Sequence, residues 1–420
     1  AKLVAAKKAA TARLASAQGK KGKGPSLDEE SGGVSLDEPE VAAADAARRA
    51  KEDAALVESP DPGHLPPEAW TVGHNHWMPY SIVHPKGRRI WLHMWQEGAK
   101  DLLAHGVKPW CYELLNEPAC SDESDYAKKV FAGRMKARFG KDWEKSLTGV
   151  ARRVEYAKFI EECFGSLLSE GAAWIRAVDP TALVTFQPCT IRTVGIDLYR
   201  SYRDLSVVCS QTGGRGMMEA HLLRGLADGK PIVDNEMYIG NTTNSIRGSY
   251  LDQYQRGFNV SYSFKWEGNK SDYNFMNRKN VSPGALLGIR LAKRDIMDVN
   301  EFFTPRDRGT RRAVAVHFSS PTERLSQCTG RMGYKFFDQA ICGVDFAHLN
   351  PDVIYEDQMT NGVARLSRYR VLVSAGVDAT YPGTLKSIRS WVAKGGIWVV
   401  VAETAALDEY GAANAESFTG

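Results

Sequence analysis

The stretch Pro109–Pro118, PWCYELLNEP, decides how the rest of the chain is read. Its apolar and aromatic run reads as a buried strand, and it closes on Asn116-Glu117-Pro118. Proline cannot donate to a strand ladder, so Pro118 stops the strand at the carboxylate. At the carboxyl end of a parallel strand, side chains face the mouth of the sheet, where α/β folds place their functional groups. A bare Asn-Glu-Pro tripeptide more often only turns a chain. At the end of such a strand, inside a series of strand–helix units, it marks Glu117 as a functional carboxylate.

That series extends downstream. Short apolar runs at Ala182–Gln187, Leu205–Ser210, Pro231–Glu236 and Asn259–Phe264 begin 23 to 28 residues apart, the length of a strand plus a helix. The clearest helix covers 151–178, with Val154, Ile160, Phe164, Leu167, Leu168, Trp174, Ile175 and Val178 on or near one stripe, and Asp179-Pro180 stops it. Such alternation predicts a parallel sheet with crossover helices, and both a (β/α)8 barrel and an open doubly wound sheet fit it. Lys230–Asn241, KPIVDNEMYIGN, is a second buried strand ending in a carboxylate, Glu236, which lies 119 residues beyond Glu117. Strand alternation places Asp234 and Glu236 on one face and Asn235 on the other. Upstream, Thr71–Trp77 reads as a strand ending in Gly73-His74-Asn75-His76-Trp77, with His74, Asn75 and His76 candidates for a polar rim. His74 and His76 share a face, but no third metal ligand accompanies them, and HNHWM lacks the surrounding pattern of an HNH nuclease.

Composition narrows the function. The chain has 420 residues, 43% hydrophobic and 25% charged, which is ordinary globular composition. A net charge of +4, from 54 basic and 50 acidic residues, does not suggest a nucleic-acid binder. No run approaches the 18 or so apolar residues of a membrane span. The seven cysteines are scattered, without a CxxC pair, so neither a disulfide framework nor a metal site is expected, and a reducing compartment such as the cytoplasm is favoured. No cofactor motif is present; there is no GxGxxG. Residues 1–69 contain no Phe, Trp or Tyr and read as an Ala- and charge-rich helix followed by a flexible insertion or linker. Residues 70–302 carry the strand–helix series. Residues 303–420 form a second α/β region, with strands at Arg312–Ser319, Tyr369–Ser374 and Ile397–Ala402 and helices after Gly333 and at Thr384–Ala393.

The order Asn116-Glu117-Pro118 then Glu236, each at a strand end, resembles the clan A retaining glycoside hydrolases, which carry Asn-Glu at the end of barrel strand 4 and a second Glu at the end of strand 7. The resemblance covers roughly residues 70–300 and makes 182, 205 and 231 the starts of strands 5, 6 and 7. It implies a (β/α)8 TIM barrel acting on a carbohydrate, with Glu117 as general acid/base and Glu236 as nucleophile. The two carboxyl groups of such an enzyme stand about 5–5.5 Å apart. Asn116 would bond the sugar 2-hydroxyl, and Trp266 would either stack on the ring or pack at the barrel rim. Gln211 and Tyr238 would be accessory contacts. Glu113 would be an acid of the barrel interior, and Glu267 sits beside Trp266. Residues 369–402 are similar to the flavodoxin-like, glutamine-amidotransferase-like domain of family-42 β-galactosidases. That likeness implies a structural domain and a trimer, since Cys342 lacks an amidotransferase's flanking pattern. Two strands should precede Thr71–Trp77, and residues 1–69 supply none. We therefore expect an internal piece of a longer protein, with the barrel N-terminally incomplete. A non-catalytic carbohydrate-binding scaffold on the same barrel is the rival reading.

Overall fold

Helix formation begins at His84, whose Nδ1 accepts from the backbone N–H of Lys86 while Pro85 occupies the first turn, where a missing N–H costs nothing. The computed structural model describes residues 69–414 apart from 74, 190–194, 212–215, 239–241, 265–275, 278–279, 282, 301–312, 331–333, 361–364 and 403. The expectations for residues 1–68 lie outside the described residues. In chain order the first elements are β1 (Asn75–His76), α1 (Pro85–Ala104), β2 (Tyr112–Asn116), β3 (Ala119–Cys120), α2 (Asp125–Phe139), α3 (Trp143–Ser146), α4 (Gly149–Arg176) and β4 (Val184–Gln187). They continue with α5 (Leu198–Ser201), β5 (Val208–Ser210), α6 (Gly216–Ala227), β6 (Ile232–Tyr238), α7 (Thr243–Arg256), β7 (Val260–Phe264), β8 (Met276–Asn277), β9 (Asn280–Val281) and α8 (Pro283–Val299).

β2 pairs with β4 in parallel, and β5, β6 and β7 pair in parallel with one another. β4 joins β5 through Ser206 N–H to Val184 O and Thr185 Oγ1 to Val207 O, both 2.9 Å. The array therefore runs β2-β4-β5-β6-β7 with helices between successive strands. It is curved. Glu113 on β2 is hydrogen-bonded to Asn235 on β6, three strand spacings away, or about 14 Å on a flat sheet. Two such side chains cannot span that gap unless the sheet curls toward itself as a barrel wall does. Among the described residues the arc does not close. The long helix α4 backs it, burying Phe159, Ile160, Phe164, Leu167, Leu168 and Ile175 against Phe186 and Tyr202.

The strand expected at Thr71–Trp77 takes another form. Asn75–His76 pairs antiparallel with Ala119–Cys120, the segment that follows Glu117 and Pro118. Only two residues pair, so this segment laces the turn after β2 and is not a parallel neighbour of β2.

The second region supplies β10 (Val314–Phe318), α9 (Ser320–Thr329), α10 (Tyr334–Phe346), β11 (Asp352–Tyr355), α11 (Glu356–Thr360), β12 (Val371–Ala375), β13 (Ala379–Thr380), α12 (Thr384–Val392), β14 (Ile397–Val401) and β15 (Leu407–Asp408). Its parallel sheet has the order β11-β10-β12-β14, the 2-1-3-4 arrangement found in flavodoxin-like doubly wound sheets. This region and the strand arc belong to one compact unit. Gly225 on α6 lies so close to β11 that a Cβ there would stand 2.5 Å from Val353 O. Gln358 Nε2 donates to Gly225 O at 3.0 Å, and a ring nitrogen of His221 bonds Pro351 O at 2.9 Å.

The firmest tie is ionic. Arg324 on α9 grips Glu161 on α4 with Nη2 to Oε2 at 2.7 Å and Nε to Oε2 at 2.9 Å; it also lies 3.6 Å from Asp197 and donates to the Tyr381 hydroxyl at 3.4 Å. Arg324 and Glu161 are both buried. Burial pushes the Glu161 carboxyl up, and the guanidinium opposes that shift. Removing one partner of such a pair strands a buried charge. Arg324→Met should therefore lower stability by about 3–5 kcal/mol, read as a drop in the urea midpoint. The double change Arg324→Met, Glu161→Leu should recover most of it.

Candidate active site

The rim is assembled from the carboxyl ends of β2, β4, β5 and β6. Two of these strands depart from regular alternation. β2 advances three residues from Glu113 to Asn116 while β4 advances two, from Thr185 to Gln187. β6 advances from Asp234 to Met237 while β7 advances from Ser261 to Ser263. Each is a β-bulge, which reverses the facing of the residues beyond it. On β2, Leu114 and Leu115 are consecutive and both buried, while Glu113 and Asn116 are both exposed. On β6, the expectation that Asp234 and Glu236 share a face is overturned. Asp234 is fully buried and accepts from Gln253 Nε2 on α7, in the helix layer. Asn235 turns to the concave side and donates to Glu113. Glu236 turns to the rim and accepts from Gln187 Nε2 and Gln211 Nε2, each 2.7 Å from its Oε2.

Glu117 follows the β2 bulge with φ at +49°, in the left-handed region. A non-glycine residue held there costs about 1–3 kcal/mol, and such residues cluster at functional sites. Neighbours fix it on both sides. Its N–H donates to Gln187 O at 2.7 Å, and its C=O accepts from His76 Nδ1 at 2.8 Å. Because that acceptor is a carbonyl, Nδ1 carries the hydrogen. The antiparallel β1–β3 pairing delivers His76 to this position.

Gln187 is the residue the sequence reading missed. Its carbonyl holds the Glu117 backbone and its side chain holds the Glu236 carboxylate. It is 1% exposed at the end of β4, and only its place after a buried strand, like that of Gln211, hinted at a role. Asn116 stands in register with Gln187. His74 and Trp266 lie outside the described residues, as do the side chains of Asn75 and Tyr238.

Beneath the rim, the concave face opens on a cavity of about 190 Å³ lined by Trp110, Cys111, Glu113, Thr185, Val207, Cys209, Val233, Asn235 and Tyr262. Burial and then the Glu236 carboxylate raise the pKa of Glu113 to about 7, against the pull of the Asn235 hydrogen bond. Burial, followed by the Glu113 carboxylate, pushes the Cys111 thiol up to about 12. Among the described residues no three His, Cys, Asp or Glu side chains are grouped to hold a metal ion, and no helix is long and apolar enough to cross a membrane.

The fold is similar to those of solved family-42, clan A glycoside hydrolases. An exo-carrageenase of family GH42 from Bacteroides ovatus is similar with a TM-score of 0.69 and 15% identity, over 83% of this chain and 57% of its own. The β-galactosidase of Bacillus circulans sp. alkalophilus is similar at 0.68 and 13% identity, over 84% and 61%, and that of Marinomonas ef1 at 0.66 and 12%, over 81% and 62%. The chain thus spans about three fifths of the length of the solved structures it matches. No family model matches it, and no curated protein sequence matches it significantly.

The cavity's electrostatics can be checked through its thiol. Cys111 should react with iodoacetamide at pH 8 roughly a hundred-fold or more slowly than a free cysteine, because the thiolate is the nucleophile. Peptide mapping should show its rate still rising steeply with pH above 9.

Proposed function

We propose that this protein is a retaining hydrolase of β-linked glycosides, with β-galactosides the first substrate class to test, and that Glu117 and Glu236 carry the reaction. The observation that supports it is the bridge made by Gln187. One residue hydrogen-bonds the backbone of Glu117 and the carboxylate of Glu236, glutamates 119 residues apart in the chain. Two carboxyl groups flanking one glycosidic bond are what double displacement needs. Glu236 would attack the anomeric carbon, with two amide donors fixing its rotamer at Oε2. Glu117 would protonate the departing oxygen and then deprotonate the incoming water. Asn116, in register with Gln187, is placed to meet the sugar beside it. Trp266 is proposed to supply an apolar face to the sugar ring and Tyr238 to contact the nucleophile.

The second region is proposed to be the structural, amidotransferase-like domain that accompanies this barrel type, in a trimeric parent assembly. Its flavodoxin-like strand order supports the likeness. Cys342 lies within α10, with its thiol pushed up by burial. That is the reverse of what an activated nucleophile needs.

A 2-deoxy-2-fluoro-β-galactoside with an activated leaving group should form a covalent adduct on Glu236, located by peptide mass spectrometry. Glu236→Gln should abolish both adduct and turnover. Glu117→Gln should slow hydrolysis of unactivated substrates by about 10²–10⁴-fold, and much less for substrates whose leaving group needs no proton. An adduct on another residue would refute the assignment.

A further inference from the structure

We propose that Glu113, acting through Asn235, sets the position and the electrostatic setting of Glu236, as a positioning residue that does not itself touch the substrate. The proposal rests on the reading of Glu236 as nucleophile.

The geometry is a tie across the arc. Asn235 immediately precedes Glu236, so holding its side chain fixes the backbone from which Glu236 leaves β6. Its anchor is the carboxylate of Glu113, four residues before Glu117 on β2. The hydrogen bond therefore joins the two strands that carry the proposed catalytic pair, one level below the rim. The bulge in each strand brings this about, because it puts Glu113 and Asn235 on the concave face together with Asn116 and Glu236. Shortening or loosening the tie changes the span between the two catalytic strands.

The tie also carries charge. The titratable groups near Glu113 are Cys111 from its own strand, Tyr202 after α5, Cys209 from β5, Glu236 from β6 and Tyr262 from β7. Among the described residues, no Lys, Arg or His lines the cavity. With its carboxyl raised to about 7, Glu113 is neutral in mild acid and ionised above neutrality. When ionised it sets a second negative charge against the Glu236 carboxylate. That charge on Glu236 disappears when one of its oxygens bonds the anomeric carbon while the aglycone departs with its bonding electrons and the Glu117 proton. It returns when water displaces the sugar. Ionised Glu113 therefore favours formation of the glycosyl-enzyme and opposes its breakdown.

Two measurements on the full chain test this. With ¹³C-carboxyl-labelled glutamate, the resonance lost in Glu113→Gln should titrate near pH 7. Its midpoint should fall in Glu236→Gln, where the like charge is gone, and rise in Asn235→Ala, where the hydrogen bond is gone. A midpoint in the ordinary carboxylate range near 4, or one insensitive to Glu236→Gln, overturns the proposal. In the fluoroglycoside reaction, Glu113→Leu should slow labelling of Glu236 by about a hundred-fold, the scale of a small misplacement of a reacting group. Glu113→Gln, which keeps an acceptor for Asn235, should recover at least a ten-fold part of that loss and lack the rise in labelling rate near pH 7. Labelling of Glu236 at the same rate in a folded Glu113→Leu chain defeats this proposal and leaves the hydrolase reading standing. Absence of Glu236 labelling in the unaltered chain defeats the hydrolase reading and this one with it.

Discussion

Each of two strands carries one residue more than the neighbour it pairs with, and those two surplus residues decide which side chains meet on the concave face. A strand's side chains alternate with period two, so an added residue exchanges the two faces for everything after it. In β2 the exchange lets Glu113 and Asn116 face inward together while Leu114 and Leu115 fill the core behind them. In β6 it turns Asp234 outward to α7 and still leaves both Asn235 and Glu236 on the functional side. Regular strands would pair Glu236 with Asp234 against the helix layer and leave the rim without its second carboxylate.

Such a departure from regular pairing needs firm backing, and both layers supply it. Asp234 accepts the backbone N–H of Glu236 at 3.2 Å, and Gln253 in turn bonds both Asp234 and Ser261. The bulge of β6 is thus fastened to α7 and to β7 at once. Behind β2 and β4, α4 is held on its outer side by Arg324 through Glu161. Tyr410 and Lys158 bond Glu155 on the same helix, and Lys158 also reaches Glu409. The second region therefore braces the helix on which β2 and β4 rest. The left-handed Glu117 is held on both sides, by Gln187 O at its N–H and by His76 Nδ1 at its carbonyl.

Much of this was legible in the sequence. The strands from Ala182 to Phe264 and the long helix were marked by apolar runs and by Asp179-Pro180, and the structure places these within a few residues of their expected limits. The strand at Asp352–Tyr355 was missed, since four residues following a loop carry too short a pattern to stand out. The two glutamates stood out because each closes a buried strand. The bulges did not, because a bulge is a property of two strands in register and nothing in DNEM or ELLN alone records the partner's count. For the same reason alternation misassigned Asp234. Gln187 was hidden for a different reason. Its importance lies in reaching two other strands, and a glutamine ending an apolar run looks like any strand cap. The expectation at Thr71–Trp77 failed because pairing direction is set by where the chain returns after Pro118, which local composition does not encode.

The partners of these acids share one chemical character, and it explains their electrostatics. Glu113 is met by Asn235, Asp234 by Gln253, and Glu236 by Gln187 and Gln211. All are amides. An amide donates a hydrogen bond and fixes an orientation, but it brings no positive charge to cancel the one it meets. An arginine in the place of either glutamine would orient Glu236 equally well and quench the repulsion between neighbouring carboxylates. Beside an amide partner the Glu113 carboxyl stays raised to about 7, by burial first and the Glu236 carboxylate second, against the pull of the Asn235 hydrogen bond. The amide of Asn235 thus orients Glu113 without bringing a charge to offset the neighbouring Glu236 carboxylate.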